Sequence, residues 1–373
     1  KVEELEGSIE RVKSYFGDLT KAVEMMEEDG LEINEENIDK LPEGTDEQKA
    51  MKEKMKYALN RGMDFDNLEE TMNGAMDYYQ NSLKYHYNPD HNPRPIIGDD
   101  YSNSYETGYG NSDAEGPDAG HGTHVAGIVG AIRGNDIGMD GVADNVKIMS
   151  IRAVPDGDEH DKDVANAIRY AVDNGASIIN MSFGKSYSPN KDVVDEAVEY
   201  ARSKGVILVH AAGNEFQNTD LKKKYPNKFM QDGTIASNWM EIGASAYMAD
   251  RSLAASFSNY GKTVVDLFAP GKNIKAPFPN NDYQTISGTS MATPVVSGVL
   301  AMVLGHKDIS PEVLRDVAMN TTTRYPGLYI YKRGLGSTLF SNLSASGGII
   351  NAVNMLEELK VAPNLVIETV AGR

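Results

Sequence analysis

The chain has 373 residues and no cysteine, which excludes disulfides and thiolate metal ligands but leaves the compartment open. Basic residues are scarce, 36 Lys and Arg against 55 Asp and Glu, for a net charge of -19. That balance argues against nucleic acid or an anionic membrane surface as partner, since both reward clusters of cations. No apolar run approaches the roughly 18 residues that cross a bilayer, so a soluble chain without a membrane-spanning segment is expected. There is no start methionine and no signal-peptide pattern at Lys1, and the expectation is that something upstream has been removed or left out.

What is present divides by texture. Residues 1 to 90 read as an acidic helical appendage, with 22 acids and 11 bases up to Lys84. Val2, Leu5, Ile9, Val12, Phe16, Leu19, Val23 and Met26 recur at spacings of three and four, a helix that Asp29-Gly30 stops. Thr45 with Gln48 reads as a capping box, and a third helix follows Asp66 with Leu68, Met72 and Met76 on one face. Self-packing of these helices is expected, with the charge as a solvated face.

Residues 91 to 360 alternate short apolar runs with amphipathic helices, and 361 to 373 form a tail. Val146 to Val154, Ala176 to Met181, Val206 to Ala211, Met240 to Ala244 and Thr263 to Phe268 read as buried strands. Asp163 to Asp173, Asp192 to Lys204, Ser290 to Leu304, Pro311 to Met319 and Ile349 to Leu359 read as helices. This alternation predicts an α/β fold, a mostly parallel sheet with helices on both faces, whose chemistry collects at the carboxyl ends of the strands.

Three stretches at those ends carry chemistry. Gly288-Thr289-Ser290-Met291-Ala292-Thr293-Pro294 places Ser290 at the start of an apolar helix, where free N–H groups face any negative charge developing on a substrate. His121-Gly122-Thr123-His124-Val125-Ala126-Gly127 puts an imidazole at a glycine-flanked turn, as a general base needs. Of its two histidines, His124 in the first helical turn is expected to be packed or hydrogen-bonded. A zinc reading of the pair lacks a third ligand. Ala211-Ala212-Gly213-Asn214 ends an apolar strand in an amide able to donate a hydrogen bond.

These three motifs, in this order, resemble the subtilisin-like serine proteases over about residues 117 to 359. The resemblance implies an endopeptidase acting on polypeptides, with Ser290 as nucleophile, His121 as general base, and Asn214 with the Ser290 N–H as oxyanion donors. It also implies that Ser182-Phe183-Gly184 pairs with substrate backbone and, with Ala212 and Gly213, walls the pocket for the residue before the scissile bond. Residues 1 to 90 look like the helical insertion that some bacterial members carry between their aspartate and histidine segments. An exported enzyme that requires no cofactor is expected. Calcium at Asn135 to Val142 is a further expectation, with Asn135 as side-chain ligand and the carbonyls of Ile137 and Met139.

One family element is missing. The third catalytic residue, an aspartate in an Asp-Ser/Thr-Gly context, does not occur before His121. Asp99 or Asp100 could substitute, but neither is followed by the glycine. The simplest expectation is that the aspartate strand lies upstream of Lys1, cleaved away, left out, or retained as an associated N-terminal fragment. The alternatives are a catalytically inactive fold acting as a binding module, and an esterase with the same nucleophile. Asp156, Asp158, Glu159 and Asp161 further suggest a preference for basic side chains two to four residues before the cleaved bond.

Overall fold

A computed structural model describes residues 2–361, apart from 61, 62, 64, 66, 89, 156 and 333. It divides into two compact units, residues 1–95 and 96–373. In the first, helices α1 (Val2–Glu28), α2 (Glu35–Ile38), α3 (Asp46–Asn60) and α4 (Leu68–Asn81) enclose Phe16, Leu19, Met26, Ile38, Met51 and Met55. The capping box forms as the sequence predicts. The Thr45 N–H donates to Gln48 Oε1 at 3.1 Å, and the Gln48 N–H to Thr45 Oγ1 at 3.2 Å. Gly30, at φ +66, ends α1 with the Leu31 N–H donating to the Met26 carbonyl at 2.8 Å, a left-handed C-cap.

The second unit opens with α5 (Gly120–Gly130) and α6 (Asp161–Asp173). Then β1 (Ile178–Met181), α7 (Lys191–Ser203), β2 (Ile207–Ala211), β3 (Trp239–Ser245) and β4 (Leu267–Pro270) follow. The hairpin β5 (Ile274–Phe278) and β6 (Asp282–Ile286) leads into α8 (Thr289–His306) and α9 (Pro311–Asn320). The chain continues through β7 (Thr323–Arg324), the hairpin β8 (Tyr329–Lys332) and β9 (Gly336–Leu339), β10 (Gly348–Ile349) and α10 (Ala352–Val361). The central sheet runs β1-β2-β3-β4-β10-β7, parallel except for β7.

Apolar residues of α8, α9 and α10 cover one face of the sheet, where Val296, Leu300, Val303, Leu314 and Met355 meet Val209, Ile242 and Leu267. Those of α6 and α7 cover the other, where Ile168, Val194 and Val198 meet Met181, Leu208 and Trp239. The expected α/β architecture is therefore present. Helix α8, at 18 residues, is long and apolar enough to cross a membrane by composition, contrary to the expectation that no run approached that length. Its apolar residues lie in the core just described, and burial accounts for them.

One expected strand is absent. Val146 to Val154 forms no strand, and Ile148, Met149 and Val154 are exposed. A strand needs a neighbour to satisfy its backbone groups. This segment has none among the described residues, and β1, which bonds to β2 on one side only, is the edge of the sheet. The tail beyond 361 and Asp156 lie outside the described residues.

Candidate active site

Ser290 is the second residue of α8 and His121 the second of α5, and the two helices pack against each other. Pro294 shapes the first of these helix starts. Having no N–H, it leaves the carbonyl of Ser290, four residues back, without its helical donor. Ser182 Oγ takes that place at 2.9 Å, while Ser290 Oγ donates to the Ser182 carbonyl at 3.2 Å. Ser182 Oγ is itself positioned by Asn180 Nδ2 at 2.9 Å, and Asn180 Oδ1 by Ser297 Oγ at 2.9 Å. The residue after β1 is thereby tied to the first turn of α8.

Asn214 is oriented from the same turn. Its Oδ1 accepts from the Thr289 N–H at 2.9 Å and from Thr289 Oγ1 at 3.0 Å, which leaves Nδ2 as the outward donor. The N–H of Ser290, at the second helical position, has no intrahelical partner. Thr289 Oγ1 also receives the Gly213 N–H at 3.1 Å. Gly213 sits at φ +99, and a Cβ there would come within 2.5 Å of Asn259 Nδ2, so the turn needs glycine. Buried Asn259 braces it from behind, donating to the Ala212 carbonyl at 2.8 Å and accepting the Gln217 N–H at 2.8 Å. Sequence reasoning gave a role to neither Thr289 nor Asn259. The first is marked by its place beside Ser290, whereas Asn259 is 45 residues from the turn that it braces and carries no local signal.

His121 makes no hydrogen bond through its ring among the described residues. The ring is exposed, and its pKa lies below the ordinary histidine value because of partial desolvation by the surrounding atoms first and the neighbouring His124 second, with Asp118 pulling the other way. Asp118 Oδ1 accepts the Gly120 N–H at 2.8 Å, capping α5. His124 is fully buried, its Nε2 shared between the carbonyls of Ile274 at 3.2 Å and Gln284 at 3.1 Å, so it pins the β5–β6 hairpin to α5. Neither substitute carboxylate reaches His121. Asp99 is buried in an ion pair with Lys162, and Asp100 Oδ1 accepts the N–H and the hydroxyl of Ser102.

A cavity of about 190 Å³ adjoins Ser290, lined among others by Phe183, Gly184, Ala212, Gly213, His210 and Lys224. Of the residues expected to wall a substrate pocket, Ser182 does not line it and is instead bonded to Ser290. Of the acidic group expected to favour basic substrates, Asp158 is exposed while Glu159 and Asp161 are turned inward. Asp161 is buried and bonds Lys185 at 2.7 Å and Ser188 Oγ at 2.8 Å, and Glu159 is buried, so neither carboxylate faces a substrate. In the loop expected to bind calcium, Asn135 Oδ1 accepts the Ile137 N–H at 3.0 Å. No group of three or more His, Cys, Asp or Glu that could hold a metal occurs among the described residues.

This arrangement has relatives. The peptidase S8 profile, described as the subtilase family, matches residues 50–343. The chain belongs to the subtilase family. It is 38% identical over 212 residues to the thermophilic serine proteinase of Bacillus sp. (strain AK1), covering 57% of this chain and 49% of that protein. With thermitase of Thermoactinomyces vulgaris it shares 36% over 213 residues, 57% of this chain and 70% of thermitase. It therefore spans about half the length of the first of these subtilase relatives. Among solved structures, a protease from Pseudoalteromonas arctica matches with a TM-score of 0.53 and 27% identity, over 64% of this chain and 70% of its own.

Proposed function

We propose that this subtilase chain carries the nucleophile, base and oxyanion donors of a serine endopeptidase acting on polypeptides outside the cell. The observation that carries the reading is Asn214. Its carbonyl oxygen is locked by Thr289, so its Nδ2 is presented beside the N–H of Ser290, two donors where an oxyanion would form. In the reaction, Ser290 Oγ leaves the Ser182 carbonyl and attacks the peptide carbonyl while His121 takes its proton. Asn214 Nδ2 and the Ser290 N–H hold the oxyanion. On collapse of the tetrahedral adduct, His121 delivers that proton to the leaving amine, and water repeats the sequence on the acyl-enzyme. None of these steps needs a metal.

The carboxylate that should orient His121 is proposed to come from outside these 373 residues, on a segment that adds as a strand beside β1. Two observations support this. The sheet edge at β1 has no partner among the described residues, and the apolar segment 146–154 finds no strand to pair with. The helical unit is then the insertion that separates aspartate from histidine. Labelling with a serine-directed fluorophosphonate tests the reading, because only an activated Ser290 reacts. Failure to label even with such a segment supplied would favour the inactive binding fold.

A further inference from the structure

The cavity beside Ser290 has a polar wall that the reaction does not use. His210 is the last residue but one of β2 and is fully buried between Phe183 and Trp239, with ring centroids 6.2 Å and 5.2 Å away. Its Nδ1 faces both oxygens of Glu241, at 3.0 and 3.1 Å, and Trp239 Nε1 donates to Glu241 Oε2 at 2.9 Å. Glu241 thus acts as acceptor for both rings, which places a proton of His210 on Nδ1 and, in the neutral imidazole, leaves a lone pair on Nε2. That Nε2 is buried and has no hydrogen-bond partner. An unpaired buried acceptor costs free energy unless something arrives to use it. It lies behind Gly184, where a Cβ would sit 3.5 Å from it, and His210 lines the cavity.

Lys224 lines the same cavity. Its Nζ pairs with Glu215 Oε1 at 3.2 Å and Ser186 Oγ at 3.3 Å, which leaves one of its three hydrogens unused. We propose that His210 and Lys224 make this cavity selective for a carboxamide side chain, glutamine above all, on the residue preceding the scissile bond. The amide N–H would donate to His210 Nε2, and the amide oxygen would accept from Lys224. This rests on the peptidase reading of the site and names the substrate class within it. The competing side chains fit less well. A carboxylate brings charge beside Glu215 and has no hydrogen for Nε2. A lysine or arginine meets the Lys224 ammonium, and an aliphatic chain leaves Nε2 unpaired.

Calorimetric titration of the full chain with acetyl-Ala-Ala-Pro-Gln, and with the same peptide ending in Leu or Glu, tests this without requiring turnover. The Gln peptide should bind about tenfold more tightly than the Leu peptide, the worth of two modest hydrogen bonds, and more tightly than the Glu peptide. Lys224→Met should cut the advantage over Leu to about threefold, one hydrogen bond remaining. His210→Phe, checked for folding by circular dichroism, should lower it likewise. The Lys224 variant stands as the test if the His210 variant does not fold. Binding of Leu within twofold of Gln, tightest binding of Glu, or no binding by any of the three overturns the proposal. Fluorophosphonate labelling of Ser290 reads the peptidase function separately. Labelling without glutamine preference sinks only the selectivity, and glutamine preference without labelling, even with a segment bearing the aspartate supplied, sinks only the peptidase reading.

Discussion

Ser182 and Ser290 exchange hydrogen bonds, each hydroxyl donating to the other's backbone carbonyl, at 2.9 and 3.2 Å. The exchange exists because Pro294 withholds the N–H that would otherwise occupy the Ser290 carbonyl. Ser182→Ala should therefore lower stability by about 1 kcal/mol, the usual worth of such a bond. Adding Pro294→Ala should recover most of that loss, since a helical N–H then reaches the same carbonyl. Urea midpoints for the two single variants and the double variant check this, and strictly additive effects would contradict it.

Thr289 holds both Asn214 and Gly213 through one hydroxyl. With Thr289→Val, Asn214 keeps only the backbone N–H of residue 289, and the Gly213 N–H loses its acceptor. Phosphonylation of Ser290 should slow by about tenfold, a fraction of the 100- to 1000-fold known for deletion of subtilisin's own oxyanion asparagine. An unchanged rate constant by stopped labelling would show that Thr289 does not orient the donor.

Much of this was legible in the sequence. The strands Ile207–Ala211 and Trp239–Ser245 and the helices after Asp161 and Thr289 follow from apolar runs and 3.6-residue spacing, because burial on one or both faces dictates them. Ser290, His121 and Asn214 stand out because each is a polar residue placed where an element begins or ends. The strand expected at 146–154 failed for a non-local reason: its residues have the composition of a buried strand, but pairing depends on a neighbour that composition cannot supply. Asn259, His210 and Glu241 were invisible for the same kind of reason. Each acts on a residue more than 30 positions away, and nothing in local spacing announces a tertiary hydrogen bond.

The buried carboxylate of Asp266 accepts from Lys228 at 2.8 Å, Arg315 at 2.7 Å and the Glu241 N–H at 2.7 Å. Lys228 is itself buried, and it would be left charged without a counterion by Asp266→Ala. Breaking such a buried pair costs about 3–5 kcal/mol. Chemical denaturation should show a loss of that size, and a loss under 1 kcal/mol would mean that water reaches the site.

The pH dependence follows from His121, whose exposed ring has its pKa lowered by partial desolvation and by the neighbouring His124. The base must be neutral to accept a proton, so phosphonylation should rise with pH through a midpoint below the ordinary value of about 6.5. The stability sign is fixed by the same shift. Between the folded pKa and about 6.5 the unfolded chain binds the extra proton, so this residue's contribution declines as pH falls through that window. A carboxylate placed against the ring would move the rate midpoint upward. A midpoint above 6.5 in the chain alone would contradict the assignment of His121 as an unpaired base.

The central claim is that Ser290 and His121 form a competent pair that lacks only a carboxylate delivered beside β1. The most direct test is the fluorophosphonate labelling rate of Ser290, read by intact mass and peptide mapping, with and without an added segment bearing the Asp-Ser/Thr-Gly motif. The account predicts slow labelling of the chain alone and an acceleration on the order of 10⁴ with the segment, the size of effect seen when a triad aspartate is neutralised in a serine protease. Fast labelling of the chain alone, unchanged by the segment, would contradict it.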